Sequence, residues 1–154
     1  MAAQTDNKAP DVVVHGGADS FKQEITVGEH GLVADEPVSA GGGDAGPDPY
    51  DYLLASLAVC TSMTVGFYAR RHQFPLENIT VSLWHSRIYA RDCEECETRE
   101  GMLDRIDVEV ELTGSLSDPQ RAKLMEIAAK CPVHRTLTSE INIRLRAAPT
   151  TSAS

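Results

Sequence analysis

Hydrophobic and polar residues alternate along the first part of the chain, which is the pattern of strands with one buried face. A short apolar run covers residues 11–15, and a longer alternation runs through residues 21–27. Apolar residues return at 32–34 after a glycine-containing turn at 28–31, as in a β-hairpin. This segment therefore predicts three strands.

A glycine-rich loop separates these strands from the next element. It contains Gly41, Gly42, Gly43 and Gly46, and it has a superficial likeness to a phosphate-binding loop. No clear buried strand precedes it, and Asp44 within it would repel a phosphate. The segment is therefore interpreted as a flexible loop.

A long helix is predicted from Pro49 to about Arg71, with Asp48 as its N-cap. Residues of one predicted face recur at helical spacing: Leu53, Leu57, Cys60, Thr64 and Phe67. Small residues are also frequent here, so that another backbone can approach closely. A helix this apolar is hard to bury within 154 residues, and a homodimer is therefore expected.

Strand and helix patterns alternate in the second half of the chain. Strands are predicted at about 79–90 and 106–112, with an acidic turn at 92–101 between them. A second helix is predicted at 119–130, where Ser117 and Gln120 have the spacing of a capping box.

Pro132 is expected to end this second helix. One turn around 133–137 and a last alternating strand at 141–145 follow. The fold class is therefore α+β, in the order β-β-β-α-β-β-α-β. We expect one domain over residues 1–154, with its core at about 11–146 and frayed ends at 1–10 and after Arg146.

Composition excludes several classes of function. The formal net charge is −9 at pH 7, which works against binding to nucleic acid or to an anionic membrane. The first residues lack the basic and apolar regions of a secretion signal, and no run approaches the roughly 20 apolar residues of a membrane helix. A cytoplasmic protein is expected, in which cysteines are more often catalytic, redox-sensing or metal-binding than structural.

Cys60 lies well inside the long helix and Cys131 at the predicted end of the second. Either can be an ordinary buried cysteine. Cys60 would need a cation or donor from elsewhere to be reactive, since it is far from a helix N-terminus. The negative end of a helix disfavours a thiolate at Cys131, which fits a thiol that resolves a sulfenic acid on Cys60 better than a first nucleophile. His134 or Arg135 could supply local positive charge.

Cys93 and Cys96 form a CxxC motif within the acidic turn. With His85 they offer three potential zinc ligands, but no second cysteine pair completes a zinc ribbon. The flanking carboxylates oppose thiolate formation, unlike the setting of a thioredoxin-type motif. Metal binding and a plain surface turn both remain open for this pair.

The segments GPDPYDYLLASLAVCTSMTV and AAKCPVHRTL resemble the OsmC/Ohr family, and the resemblance covers residues 20–146. It implies an OsmC-like intertwined homodimer with two sites at the interface and the long helices packed centrally. Cys60 would be the peroxidatic cysteine and Cys131 the resolving cysteine of a peroxidase for organic hydroperoxides. The resemblance implies no cofactor, but an external dithiol reductant and an apolar pocket near Cys60. The segment HSRIYARDCEEC indicates a less-studied branch, the OsmC-like redox proteins.

The chain departs from the family pattern at two positions. Characterised members stabilise the thiolate with an arginine from the N-terminal region, whereas the first arginine here is Arg70. Candidate replacements are Lys22, His30 and Arg135. The family's glutamate at the start of the long helix corresponds to Tyr50. The neighbouring acid, Asp51, could act on Cys60 only through another residue, since it lies ~14 Å along the helix from Cys60 at ~1.5 Å per residue.

Overall fold

The computed structural model describes residues 8–150. The chain forms two compact units, and the boundary between them in the sequence falls between Ala55 and Ser56. The ends predicted to fray include residues 1–7 and 151–154, which lie outside the described residues.

The first unit contains a three-stranded antiparallel sheet. Its strands are β1 (Val13–Gly16), β2 (Gln23–Val27) and β3 (His30–Ala34), in that order across the sheet. Val27 pairs with His30 across a two-residue turn. Gly28 begins the turn at a φ of 59°, in the left-handed region that favours glycine. The three predicted strands and the hairpin are thereby confirmed.

The glycine-rich loop is held by a buried carboxylate. Asp35 is only 4% exposed, and its side chain accepts backbone N–H bonds from Glu36 at 2.8 Å and from Gly43 and Ala45 at 3.1 Å each. These bonds, led by that from Ala45, lower the pKa of Asp35 from its ordinary value of 3.8. A Cβ on Gly42 would collide with the Glu36 carbonyl. The loop is therefore a closely packed structure, and its interpretation as flexible is corrected.

Helix α1 (Pro49–Arg71) has the predicted bounds and cap. The Asp48 carboxylate accepts the N–H of Asp51 at 2.8 Å, and the Asp51 carboxylate accepts the N–H of Asp48 at 3.0 Å. The helix is long and apolar enough to cross a membrane by length and composition, contrary to the expectation from sequence. This is weak support for a membrane span, because the core helix of a soluble protein passes the same test.

The buried stripe of α1 differs from the predicted one. Its members, four residues apart, are Leu57, Thr61, Val65 and Ala69. Phe67, expected in the buried face, is 58% exposed. Val59, Met63 and Phe67, on another side of the helix, remain exposed in the single chain.

The second unit is built on a long hairpin of β4 (Leu76–Tyr89) and β5 (Met102–Gly114), followed by α2 (Asp118–Ala128). The predicted capping box of Ser117 and Gln120 is present. The guanidinium of Arg121 joins α2 to the end of β5 by donating to the carbonyls of Leu112 at 2.8 Å and Gly114 at 3.2 Å. The core cluster of this unit combines α1, β5 and α2: Val65, Ala69, Leu112, Leu124 and Ala128.

Two expectations for the last part of the chain are wrong. Residues 133–137 belong to a third helix, α3 (Pro132–Leu137), instead of a single turn. The final strand at 141–145 does not form. Its apolar side chains are exposed, with Leu145 at 100%. An alternating sequence becomes a strand only where a neighbouring strand pairs with it, and the described residues provide none at this segment.

Replacing Asp35 by asparagine is expected to lower the melting temperature at neutral pH. The carboxylate accepts three backbone N–H groups with two oxygens. An amide has only one oxygen, and its NH2 group would face a backbone N–H that also needs an acceptor. The folded pKa of Asp35 is depressed, so its contribution is fully present above its ordinary pKa of 3.8 and is lost as pH falls through the lower folded pKa. Thermal melts of D35N should therefore fall less between pH 6 and pH 2.5 than those of the unmodified protein.

The exposed Asp44 of the same loop provides the matched control. D44N should melt like the unmodified protein at both pH values. Equal losses in D35N and the unmodified protein on acidification would contradict the assigned role of Asp35.

Candidate functional site

Cys131 is a buried residue at the start of helix α3. It is the N-cap of α3, with extended backbone angles and Pro132 as the first helical residue. The residue is 0% exposed, and its sulfur accepts a hydrogen bond from the backbone N–H of His134 at 3.2 Å. The first N–H groups of a helix have no partner within it, and this sulfur takes the place of a usual capping oxygen. The expectation that Cys131 lies at the negative end of the preceding helix is therefore wrong: α2 ends at Ala128.

Thr61 places Cys131 against helix α1. The Thr61 Oγ1 lies 3.7 Å from the Cys131 sulfur and 2.8 Å from the Leu57 carbonyl oxygen. A hydroxyl carries one proton, and the shorter contact to the carbonyl engages it. In the thiol form, the S–H of Cys131 then donates to Oγ1. In a thiolate, the hydroxyl would have to turn toward the sulfur.

Thr61 was not identified from the sequence. Threonine in a helix interior usually bonds back to the carbonyl four residues earlier, and this carries no functional signal. Thr61 lies four residues after Leu57 and four before Val65, and this helical spacing is the sequence signal that could have predicted its burial. No local pattern indicates that Cys131, seventy residues later, is its contact.

Cys60 directly precedes Thr61 on α1 and is half-buried. Consecutive Cα atoms are ~3.8 Å apart, so the Cys131 sulfur lies against the part of α1 that carries Cys60. Successive side chains on a helix point ~100° apart, and the two cysteines are free thiols. The structure thus places the Cys131 sulfur in contact with Thr61, the residue after Cys60. The two thiols are not bonded to each other.

A small apolar cavity borders this arrangement within the second unit. Its volume is about 160 Å³, and apolar side chains of β5 and α2 line it together with Thr61 and His134. The apolar contributors include Val108, Val110 and Met125. An apolar cavity of about 150 Å³ can hold a benzene-sized molecule. The site therefore combines a buried thiol, a hydroxyl and an imidazole with space for a small apolar group.

The other candidate residues belong to several parts of the chain. Asp51 caps α1 and lines a separate cavity of about 400 Å³ in the first unit. Arg135 is exposed on α3, whereas its neighbour His134 borders the cavity beside Thr61. Lys22 and His30 belong to the first unit. Of the two basic residues that follow Cys131, His134 is therefore the one that borders the cavity.

The CxxC motif forms a disulfide between Cys93 and Cys96. His85 is directed to the Asp104 carboxylate, at 2.9 Å. The three potential zinc ligands are thus not brought together, and residues 8–150 contain no group of three or more His, Cys, Asp or Glu residues that could hold a metal ion.

Comparison with known proteins identifies a family. The family model described as OsmC-like protein matches residues 41–146. No curated protein sequence is significantly similar to the chain. Solved structures with the same fold include an OsmC-like protein from Mycoplasma pneumoniae, with a TM-score of 0.66 and 21% identity over 85% of this chain and 88% of that one.

Two further neighbours carry names that refer to hydroperoxides. An organic hydroperoxide resistance protein OsmC from Legionella pneumophila has a TM-score of 0.59 and 22% identity over 82% of this chain and 87% of that one. The organic hydroperoxide resistance protein OhrB of Bacillus subtilis has a TM-score of 0.56 and 18% identity over 82% and 88%. At these identities the likeness shows the fold.

The family match includes both the α1 segment with Cys60 and the α3 cap at Cys131, and it agrees with the α+β fold and its structural neighbours: the chain belongs to the OsmC-like family.

Proposed function

We propose that this protein is a thiol peroxidase for organic hydroperoxides, in which Cys60 attacks the peroxide and Cys131 resolves the product. The observation that carries the proposal is the position of the buried Cys131 sulfur against Thr61, the residue after Cys60, beside an apolar cavity. The hydroperoxide resistance proteins among the structural neighbours support the same reading.

The chemistry requires two successive attacks by sulfur. The Cys60 thiolate attacks one oxygen of the O–O bond, which breaks and releases an alkoxide that is protonated to an alcohol, leaving Cys60 as a sulfenic acid. The Cys131 sulfur then attacks that of Cys60, expels water and forms a disulfide. An external dithiol reduces this disulfide and is itself oxidised. No cofactor takes part in this scheme.

Thr61 and His134 prepare Cys131 for the second step. The His134 backbone N–H already donates to the sulfur at 3.2 Å. As Cys131 loses its proton, the Thr61 hydroxyl turns from the Leu57 carbonyl to the sulfur. That carbonyl keeps the N–H of the helix backbone, so the turn leaves no unsatisfied acceptor. Of His134 and Arg135, it is His134 that borders the cavity.

The active form is a soluble, cytoplasmic homodimer in this proposal. Three large side chains at four-residue spacing on α1 are exposed in the single chain: Val59 at 51%, Met63 at 68% and Phe67 at 58%. A second copy would cover this face and remove it from water. The unpaired segment at 141–145 offers a strand to the same partner.

A binding or redox-sensing protein of the same fold is the second candidate. The absence of any arginine before Arg70 favours it, since the family's thiolate-stabilising group then has no N-terminal counterpart. The cavity beside Thr61 would hold the ligand, and the thiols would oxidise slowly.

Reduced protein treated with one equivalent of an organic hydroperoxide should form a Cys60–Cys131 disulfide, which non-reducing peptide mass spectrometry identifies. Cys60→Ser should abolish peroxide consumption, because it removes the attacking sulfur. Cys131→Ser should complete one turnover and stop at the sulfenic acid. Undiminished turnover in Cys60→Ser, or free thiols in the folded, peroxide-treated protein, would favour the binding candidate.

Thr61→Val is expected to slow disulfide closure about tenfold, since hydrogen bonds to charged groups are worth roughly 1.5–3 kcal/mol and this contact is long. Stopped-flow measurement of the second oxidation step checks this, and Thr61→Ser, which keeps the hydroxyl, is the matched control. Equal closure rates in Thr61→Val and Thr61→Ser would remove the hydroxyl from the mechanism.

Met63→Glu is expected to shift the protein from dimer to monomer at micromolar concentration, because dimerisation would bury an unpaired carboxylate. Sedimentation velocity measures the two species. Val38→Glu is the control, since Val38 is also apolar and is 72% exposed but is not part of α1. A monomer in the unmodified protein, or a dimer unaffected by Met63→Glu, would contradict this interface.

A further inference from the structure

The turn between β4 and β5 carries a cysteine pair that the proposed peroxidase reaction does not use. A short 3-10 helix, Ala90–Asp92, begins the turn, and the N–H of Cys93 bonds to the Ala90 carbonyl at 3.1 Å. The N–H of Ala90 bonds to the Gly101 carbonyl at 2.8 Å and closes the turn at its base. Cys93 is 5% exposed, and its disulfide partner Cys96 is half-buried.

Negative charge surrounds this disulfide. The ten residues from Arg91 to Glu100 contain five carboxylates and two arginines. Arg91 lies over the ring of Tyr89, 4.9 Å from its centroid, and its Nε is 4.0 Å from a carboxylate oxygen of Asp92. The segment still has more carboxylates than arginines. Carboxylates nearby destabilise a thiolate. A dithiol–disulfide couple is a strong oxidant when its surroundings stabilise the thiolate of the reduced form. The carboxylates here destabilise the thiolate, so they make this couple a weaker oxidant. The disulfide is therefore the favoured state under mildly reducing conditions.

Distance separates this pair from the Cys131 site of the same chain. The pair follows the Tyr89–Met102 end of the hairpin, whereas the cavity beside Thr61 is lined by Val108 and Val110. Six residues of strand from 102 to 108 at ~3.3 Å each span ~20 Å. The base of the turn and the strand residues that border the cavity are therefore at different places along β5.

We propose that Cys93 and Cys96 form a second, independent dithiol–disulfide couple, which a dithiol reductant opens and which controls the order of the turn at 90–101. The half-buried Cys96 sulfur is the accessible one, so a thiolate of the dithiol attacks it and the Cys93 sulfur leaves and takes up a proton. The second thiol of the reductant then attacks its own sulfur in the mixed disulfide and releases Cys96 as a thiol. Two electrons and two protons pass from the dithiol, which becomes a disulfide.

The same charges select the reductant. An anionic monothiol such as glutathione is repelled by the carboxylates, and the mixed disulfide it forms has no second thiol to complete the exchange. A neutral dithiol meets neither obstacle. Once the disulfide is open, the turn at 90–101 has no cross-link between residues 93 and 96. Repulsion among its carboxylates then favours an opened turn.

Dithiothreitol and glutathione buffers, each applied to the folded full-length protein, test the couple. After alkylation, trypsin releases Cys93 and Cys96 in one peptide, residues 92–99, apart from Cys60 and Cys131. Dithiothreitol should open the disulfide without denaturant, at least tenfold faster than glutathione of equal thiol concentration. Oxidised dithiothreitol should close it again. Hydrogen exchange at 90–101 should rise on opening, while that of α2 stays unchanged.

Cys93→Ser/Cys96→Ser is the matched control and should exchange like the reduced protein while keeping peroxide turnover. A disulfide that opens only in denaturant would mark the bond as structural, and thiols that stay free in oxidised dithiothreitol would show that no couple exists; either overturns the proposal. Cys60→Ser should give the same peptide result as the unmodified protein, so failure of the peroxidase proposal leaves this one intact.

Discussion

The burial of one side of helix α1, along Leu57, Thr61, Val65 and Ala69, is the constraint on which the second unit depends. Val65 and Ala69 join the core cluster with residues of β5 and α2. One turn earlier, Thr61 contacts the Cys131 sulfur. The same buried stripe therefore packs the unit and contacts the buried thiol, so the position of Cys131 is set by core packing and not by a flexible loop.

Features with local causes could be predicted from the sequence. Asp48 before Pro49 and Ser117 before Gln120 satisfy N–H groups within one turn of themselves, so the starts of α1 and α2 follow from a few adjacent residues. Alternation within a segment likewise predicted the strands of both sheets. The motif segments around Cys60 and Cys131 indicated the family that the comparison confirms.

Features that depend on distant residues could not be predicted. Nothing near Asp35 indicates that its carboxylate binds N–H groups eight and ten residues later. Proline can end one helix or begin another, and the sequence around Pro132 predicts a stop, whereas Pro132 opens α3. The alternation at 141–145 fixes which side chains share a face but supplies no strand to pair with. The Cys93–Cys96 bond depends on redox conditions as well as on spacing.

Under the proposed mechanism Cys131 would have two tasks that compete for one atom. Its sulfur is the acceptor that begins α3, a helix of six residues, and so short a helix is marginal without its cap. Any reaction that turns this sulfur toward another partner takes the acceptor away from the His134 N–H. The first turn of α3 would then loosen, and with it the wall of the cavity that His134 forms. The oxidation state of one thiol is thereby linked to fraying of a helix, and the spent protein would present its disulfide in a more open setting than the reduced protein presents its thiol.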